Sequence, residues 1–262
     1  MTTFDPRAYW EQRLERSSGL EGVGYVGLGH AFNSWMYRVR RNVFNRTVRK
    51  HMPQRGSAAV LDIGSGTGVY LRCWRSLGVR TITGTDITDT AVARLKIDLP
   101  EVELFRMDIT EGDPRIKGAF DAVSCMDVLF HVVDDARLQQ ALLNMRLALK
   151  PGGTVFISDN FLHHGSKGET HFVIRTLAQY EAALNRAGLR IVERRPMFHL
   201  LNRPMDSRSS LLWRWWSLVE VVCHRSYFLG GLLGAVAYPF ELLLVRARRE
   251  GVSTEIMICK AA

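Results

Sequence analysis

The sequence is 262 residues long and 47% hydrophobic, enough apolar material for one large domain with a full core. Its formal net charge of +9 suits nucleic acid, an anionic membrane surface or an acidic substrate, but the arginines gather toward the two ends and no RNA-binding signature is present, which disfavours a nucleic-acid partner. Cys73, Cys125, Cys223 and Cys259 are far apart without a Cys-x-x-Cys pair, and residues 1–10 show no basic-then-apolar leader, so a reduced, cytoplasmic chain without disulfides or zinc is expected.

Residues 1–57 read as an N-terminal helical cap. Asp5-Pro6 opens a helix over 7–16, because proline suits a first turn. Glycines 19, 22, 24, 27 and 29 around Tyr25 and His30 predict a loop. A longer helix is predicted at 32–51, with Met36, Val39, Val43 and Thr47 at helical spacing. Arg38, Arg41, Arg46 and Arg49 fall largely off that stripe, as a solvated basic face would.

From residue 58 the chain alternates between strand and helix. Strands are predicted at 58–63, 80–85, 102–106, 120–126, 153–159 and 189–195, and helices at 69–77, 88–97, 135–149 and 176–187. That alternation predicts an α/β fold with a parallel sheet covered on both faces. Lys150-Pro151-Gly152-Gly153 stops a helix before a strand. A last strand is predicted at 253–260, after the 56-residue segment 197–252 with its tryptophans and a largely apolar run at 227–245. The run nears the length of a membrane span, but Pro239, Glu241 and its small residues argue for a surface-associated or core-packed segment instead.

The chemistry concentrates in Val60-Leu61-Asp62-Ile63-Gly64-Ser65-Gly66-Thr67-Gly68, which joins the first strand of this core to its first helix. Alternate glycines allow a tight turn and close approach of a ligand to the backbone. Asp86 ends the next strand, 22 residues beyond Gly64, where an acid can grip ribose hydroxyls. With Asp108 after the third strand, acids stand at three successive strand ends, a pattern that helix capping alone explains poorly.

This motif resembles the first motif of class I S-adenosylmethionine-dependent methyltransferases of the small-molecule type, and further matches extend over roughly 58–195 and the last strand. In a dinucleotide dehydrogenase the third glycine would fall where Val69 stands. A nicotinamide-dependent oxidoreductase is therefore the disfavoured alternative, with Asp108 and the Lys-Pro-Gly-Gly hairpin also against it. The resemblance implies a Rossmann-like, doubly wound, mostly parallel seven-stranded sheet with a final antiparallel strand. Residues 58–196 and 253–262 would form this core, 1–57 the cap, and 197–252 a helical lid over the acceptor side, with Leu212, Trp215, Trp216 and Val219 on one face. It implies S-adenosyl-L-methionine as cofactor. Gly64, Ser65, Gly66 and Gly68 would form the binding loop, and Asp62 would hold that loop or the ammonium group. Asp86 would take the ribose, Ile87 would lie against adenine, Asp108 and Ile109 would form the adenine site, and Met126 and Asp127 would meet the methionine portion.

Methyl transfer asks mainly for alignment and exclusion of water, and a hydroxyl acceptor also needs a base. His131 follows the fourth strand and is the first candidate, with His163, His164, His171 and His30 behind it. No carboxylate cluster has metal spacing, so no catalytic metal is expected. The expected reaction is O-methylation of a small or medium organic acceptor such as a sugar or secondary metabolite. A non-catalytic protein held at a membrane surface is the remaining alternative, and no residue pattern assigns an oligomeric state. The expected location is the cytoplasm, with peripheral attachment to a membrane resting on 197–252 alone.

Overall fold

The apolar runs of the sequence become the central sheet of the computed structural model, which describes residues 4–16 and 19–262. The helices α1 (Pro6–Arg16), α2 (Leu20–Val23) and α3 (Gly29–His51) come first. The alternating core follows as β1 (Ala59–Ile63), α4 (Val69–Ser76), β2 (Thr81–Asp86), α5 (Asp89–Asp98), β3 (Glu103–Arg106), β4 (Phe120–Met126), α6 (Asp135–Ala148) and β5 (Leu149–Asp159). A hairpin, β6 (Lys167–Glu169) and β7 (Phe172–Ile174), precedes α7 (Leu177–Arg186) and β8 (Leu189–Pro196). The chain ends with α8 (Ser210–Arg225), α9 (Tyr227–Ala247) and β9 (Glu255–Ala261).

The main sheet has the order β3-β2-β1-β4-β5-β9-β8. Its β1–β5 pairings are parallel, while β9 runs antiparallel to both β5 and β8. This is the doubly wound, seven-stranded arrangement with one reversed strand that the sequence predicts. The order changes direction between β1 and β4, so their carboxyl ends open the crevice where such sheets bind ligands.

Strand alternation divides the core in two. Val60, Ala122, Phe156 and Ile258 point to the side covered by α3, α4, α8 and α9. Leu61, Ile63, Val123, Cys125, Val155 and Ile157 point to the side covered by α6 and α7. In α3 the expected stripe, Met36, Val39, Val43 and Thr47, is buried. The four cysteines are buried and free.

Several elements differ from the sequence expectation: the glycine-rich stretch expected as a loop holds the one-turn helix α2, and α3 begins at Gly29 rather than at residue 32. The β6–β7 hairpin was not foreseen, because Lys167-Gly168-Glu169 is short, polar and fully exposed and carries no alternation. Strand β5 begins at Leu149, which already pairs with Phe120 ahead of a bulge, so Lys150–Gly153 belongs to the irregular start of the strand.

Helix α9 lies along α3 at close range. A Cβ added at Gly231 would come within 2.8 Å of the Ala31 Cβ, and one at Gly234 within 2.7 Å of the Trp35 ring. Glycine there serves backbone approach. Midway along α9, buried Glu241 accepts hydrogen bonds from the backbone N–H groups of His199 (2.5 Å) and Leu200 (2.6 Å).

Candidate cofactor and acceptor site

After β1 the chain must turn at once into α4. Gly64 does so at φ +69, in the left-handed region, and a Cβ there would strike the Val128 side chain. The Ser65 N–H donates to the Thr85 carbonyl at 2.9 Å, tying the loop to β2. The Gly66 N–H donates to Asp86 Oδ2 at 2.9 Å, while Asp86 Oδ1 accepts from the Thr88 N–H (3.0 Å) and Oγ1 (2.8 Å). Burial raises the Asp86 pKa, and these donors oppose the shift. The result is a carboxylate fixed in orientation at the mouth of the glycine loop.

The loop opens onto a cavity of about 490 Å³. Its walls bring together Gly64, Ser65, Gly66, Asp86, Ile87, Asp108, Ile109, Met126, Asp127 and His131, all expected from the sequence. Asp62 and Gly68 are placed differently. Gly68 caps α4 from behind, where an added Cβ would meet Leu95. Asp62 is buried beneath the loop, accepting from Ser124 Oγ at 2.6 Å, with its Oδ2 unpartnered and its pKa pushed up to about 7 by burial. Its place suits support of the loop and Ser124 rather than contact with a ligand. Asp108 is held by Thr110 and by Arg137, whose Nη2 donates at 2.7 Å. One buried hydroxyl in the wall, Thr67 Oγ1, has no protein hydrogen-bond partner among the described residues, so a polar group of a ligand would satisfy it, while Tyr70 lies against Arg40. With a fixed acid at the loop, these features fit an adenosine-bearing cofactor, and the volume lies within the roughly 300–1,000 Å³ of small-molecule sites.

Sequence reasoning missed Arg40. It sits in the buried face of α3 and forms an ion pair with Asp127, at the end of β4. Burial by itself lowers the Arg40 pKa, but Asp127, Tyr70 and Tyr37 outweigh it and hold the guanidinium charged. The ring of Phe198 lies 4.9 Å from the guanidinium carbon. Asp127 has a left-handed φ of 59, unusual for a residue with a side chain. Its N–H donates to the Ser158 carbonyl at 3.1 Å. The signal was present: an arginine four residues after Met36 and three before Val43 interrupts an apolar stripe.

His131 lies in the short turn after β4 and in the cavity wall. Its Nδ1 is 3.0 Å from the His171 carbonyl, in the turn of the β6–β7 hairpin. A carbonyl only accepts, so Nδ1 carries the proton and Nε2 keeps its lone pair. Burial drives its pKa down to about 4, against the opposing His171 hydrogen bond. The Trp10 ring meets the imidazole edge-on at 4.8 Å. Of the other candidates, His163 is tied to Asp206 (2.5 Å) and does not line the cavity, nor do His164, His30 or the His171 side chain.

The expected lid is corrected. No residue of 197–252 lines the cavity; Phe4 ahead of α1, with Pro6, Trp10 and Leu14 of α1, Val23 of α2 and Tyr37 of α3, closes it. Trp216 and Val219 are buried in the core on the α3 side. The indole N–H of Trp216 donates to Glu220 and that of Trp215 to the Leu200 carbonyl, so neither meets an acceptor. The physical reason is the small-residue face of α9, which draws the insertion onto the outer side of α3.

Residues 60–153 match the family model described as a methyltransferase domain. Among curated proteins, the ubiquinone biosynthesis O-methyltransferase of Neisseria meningitidis serogroup C is 31% identical over 132 residues, covering 47% of this chain and 52% of that protein. Its counterpart from Xanthomonas campestris pv. campestris is 36% identical over 105 residues, covering 38% and 42%. The chain thus spans about half the length of these relatives or less. Among solved structures, the 1,6-didemethyltoxoflavin-N1-methyltransferase of Burkholderia thailandensis, with bound 1,6-didemethyltoxoflavin and S-adenosylhomocysteine, superposes with a TM-score of 0.57 at 15% identity, over 100% of this chain and 92% of that one. That likeness concerns the fold.

Proposed function

We propose that the core of this chain is a class I S-adenosylmethionine-dependent methyltransferase domain and that the protein methylates a hydroxyl oxygen on a small or medium organic acceptor. The observation that carries the reading is one cavity holding the glycine loop, Asp86, Asp108, Asp127 and His131 together. Asp86 takes the ribose hydroxyls, Asp108 and Ile109 the adenine edge, Ile87 its face, and Asp127 with Met126 the methionine end. S-adenosylmethionine supplies a methyl group on a positively charged sulfur. The chain's own work is to align the acceptor, exclude water behind Trp10 and Tyr37, and receive the hydroxyl proton at His131 Nε2.

The acceptor end favours one chemistry over another. Trp10, packed edge-on against His131, makes that wall aromatic, which suits a planar ring better than a sugar, whose hydroxyls would need partners there. Burial keeps His131 neutral but a weak base, and a phenolic hydroxyl, more acidic than an alcohol, asks less of such a base. The similar proteins named as ubiquinone biosynthesis O-methyltransferases support transfer to oxygen. We also read any membrane attachment as peripheral, because Glu241 in the middle of α9 is buried and bonded to the core.

Mass spectrometry of the purified protein for bound S-adenosylhomocysteine, followed by assay of phenolic and sugar panels with labelled S-adenosylmethionine, tests this. Methylation of phenols is expected. A protein that binds NAD but neither S-adenosyl compound would refute the whole reading, and transfer to sugars or to nitrogen would refute its finer part.

A further inference from the structure

The helix pair inserted before β9 presents an apolar face that the fold does not cover. Along α9, Phe228, Leu232, Val236, Phe240 and Leu243 recur at helical spacing and are 54–77% exposed. The opposite face, Gly230, Gly234, Ala237, Glu241 and Val245, is buried. On α8, Leu211, Leu218 and Val221 are exposed, as are Arg214 and Arg225. Arg246, Arg248 and Arg249 follow at the end of α9. Among the described residues none of these five arginines has an ion-pair partner within 4.0 Å, unlike Arg7, Arg40, Arg72, Arg75 and Arg137.

Exposed apolar side chains in one row, flanked at both ends by unpaired cations, are the composition of an interfacial helix. Charge decides the occupant. If two copies met through this face, antiparallel α9 helices would place the Arg246–Arg249 end of one beside the Arg225 end of the other, and parallel helices would set like ends together. Either arrangement opposes positive charge to positive charge. An anionic lipid surface complements both ends at once. We propose that α8 and α9 seat the protein on an anionic bilayer, lying in its interfacial plane with the α9 row among the upper acyl chains and the arginines at the headgroups. This rests on the peripheral reading given above. The length of α9, about 31 Å at 1.5 Å per residue, lies in the membrane plane, not across it.

The full chain is sedimented with vesicles of phosphatidylcholine alone and of phosphatidylcholine with about one third phosphatidylglycerol. Binding to the mixed vesicles, weakened by salt, is expected. Leu232→Ser/Phe240→Ser/Leu243→Ser should lower the partition coefficient on the order of a hundredfold, and Arg246→Gln/Arg248→Gln/Arg249→Gln should abolish the preference for anionic vesicles. Both variants change exposed side chains, so circular dichroism and S-adenosylhomocysteine affinity should stay as in the parent. Failure of the parent to bind either vesicle, or undiminished binding by the serine variant, overturns the proposal. A serine variant that instead turns a dimer into a monomer identifies the face as a contact between copies. Retention in cell membranes after alkaline carbonate washing overturns the peripheral reading itself.

Discussion

Arg40 and Asp127 join the cap to the sheet core, and breaking that pair is the sharpest test of the site's architecture. Arg40 lies on α3 and Asp127 at the end of β4, with side-chain exposures of 10% and 23%. At an ordinary N···O separation of about 3 Å and an effective dielectric near 20, the attraction is on the order of 5 kcal/mol. Replacing Arg40 with Met keeps the length of the stem but removes the guanidinium over the Phe198 ring and leaves half-buried Asp127 beside no cation. Burial already raises the Asp127 pKa, with Arg40 the first influence lowering it, so Arg40→Met should raise it further. Loss of one partner from such a pair costs about 3–5 kcal/mol, while loss of both costs much less. Urea unfolding of Arg40→Met, Asp127→Asn and the double variant should therefore give a coupling energy of at least about 2 kcal/mol. S-adenosylhomocysteine affinity, read by calorimetry, should fall in Arg40→Met as well, since Asp127 lines the cavity. Additive single effects within about 0.5 kcal/mol would refute the pairing as an energetic link.

Four further outcomes follow. Asp86→Ala should weaken S-adenosylmethionine binding by about 2–4 kcal/mol in calorimetry while the fold survives, because charge-assisted hydrogen bonds to the ribose are lost. His131→Ala should lower turnover on the order of a hundredfold with cofactor affinity nearly unchanged. Because the folded pKa of about 4 lies below the ordinary histidine value, His131 binds protons more readily in the unfolded chain; its contribution to stability is full above about pH 6.5 and lost as pH falls toward 4, so thermal melts of His131→Gln should show a shallower loss over that window. Glu241 has the opposite sign: its pKa of about 7, raised by burial, means the folded state holds the proton longer, so Glu241→Gln should gain stability relative to the parent as pH rises from 5 to 8, as followed by the same melts.

Most of the sheet was legible because parallel strands buried on both faces must be apolar runs, and glycine and proline mark their ends. The gathering of the glycine loop and the strand-end acids in one cavity was legible for a related reason. A loop that turns in three residues after a strand admits few residue types, and acids at strand ends have few other uses. Asp62 shows where this logic stops. Its spacing is that of a ligand-binding acid, yet the pleat turns its side chain down toward Ser124. Arg40 shows the converse, a charged residue passed over because its partner lies 87 residues away in sequence. No local pattern announces a buried ion pair, except that the arginine falls on the wrong face.

The insertion was misplaced for an instructive reason. Amphipathicity tells which face of α8 is buried, and Trp216 and Val219 are indeed inside, but it does not say against what. The deciding residues were Gly230, Gly231 and Gly234, which let α9 pack closely. Alone they look like breaks in a helix; beside Ala31, Trp35 and Cys223 they form a complementary surface. Once α9 is fixed on α3 through that surface, it cannot also reach the cavity, which opens at the carboxyl ends of β1 and β4. Its large apolar residues are left on the outside by geometry. A chain that needed only a lid would gain nothing by keeping Phe228, Leu232, Val236, Phe240 and Leu243 in water, where each forgoes about 1.5–3 kcal/mol of burial. The same five positions, flanked by arginine, are the ones a lipid surface would cover.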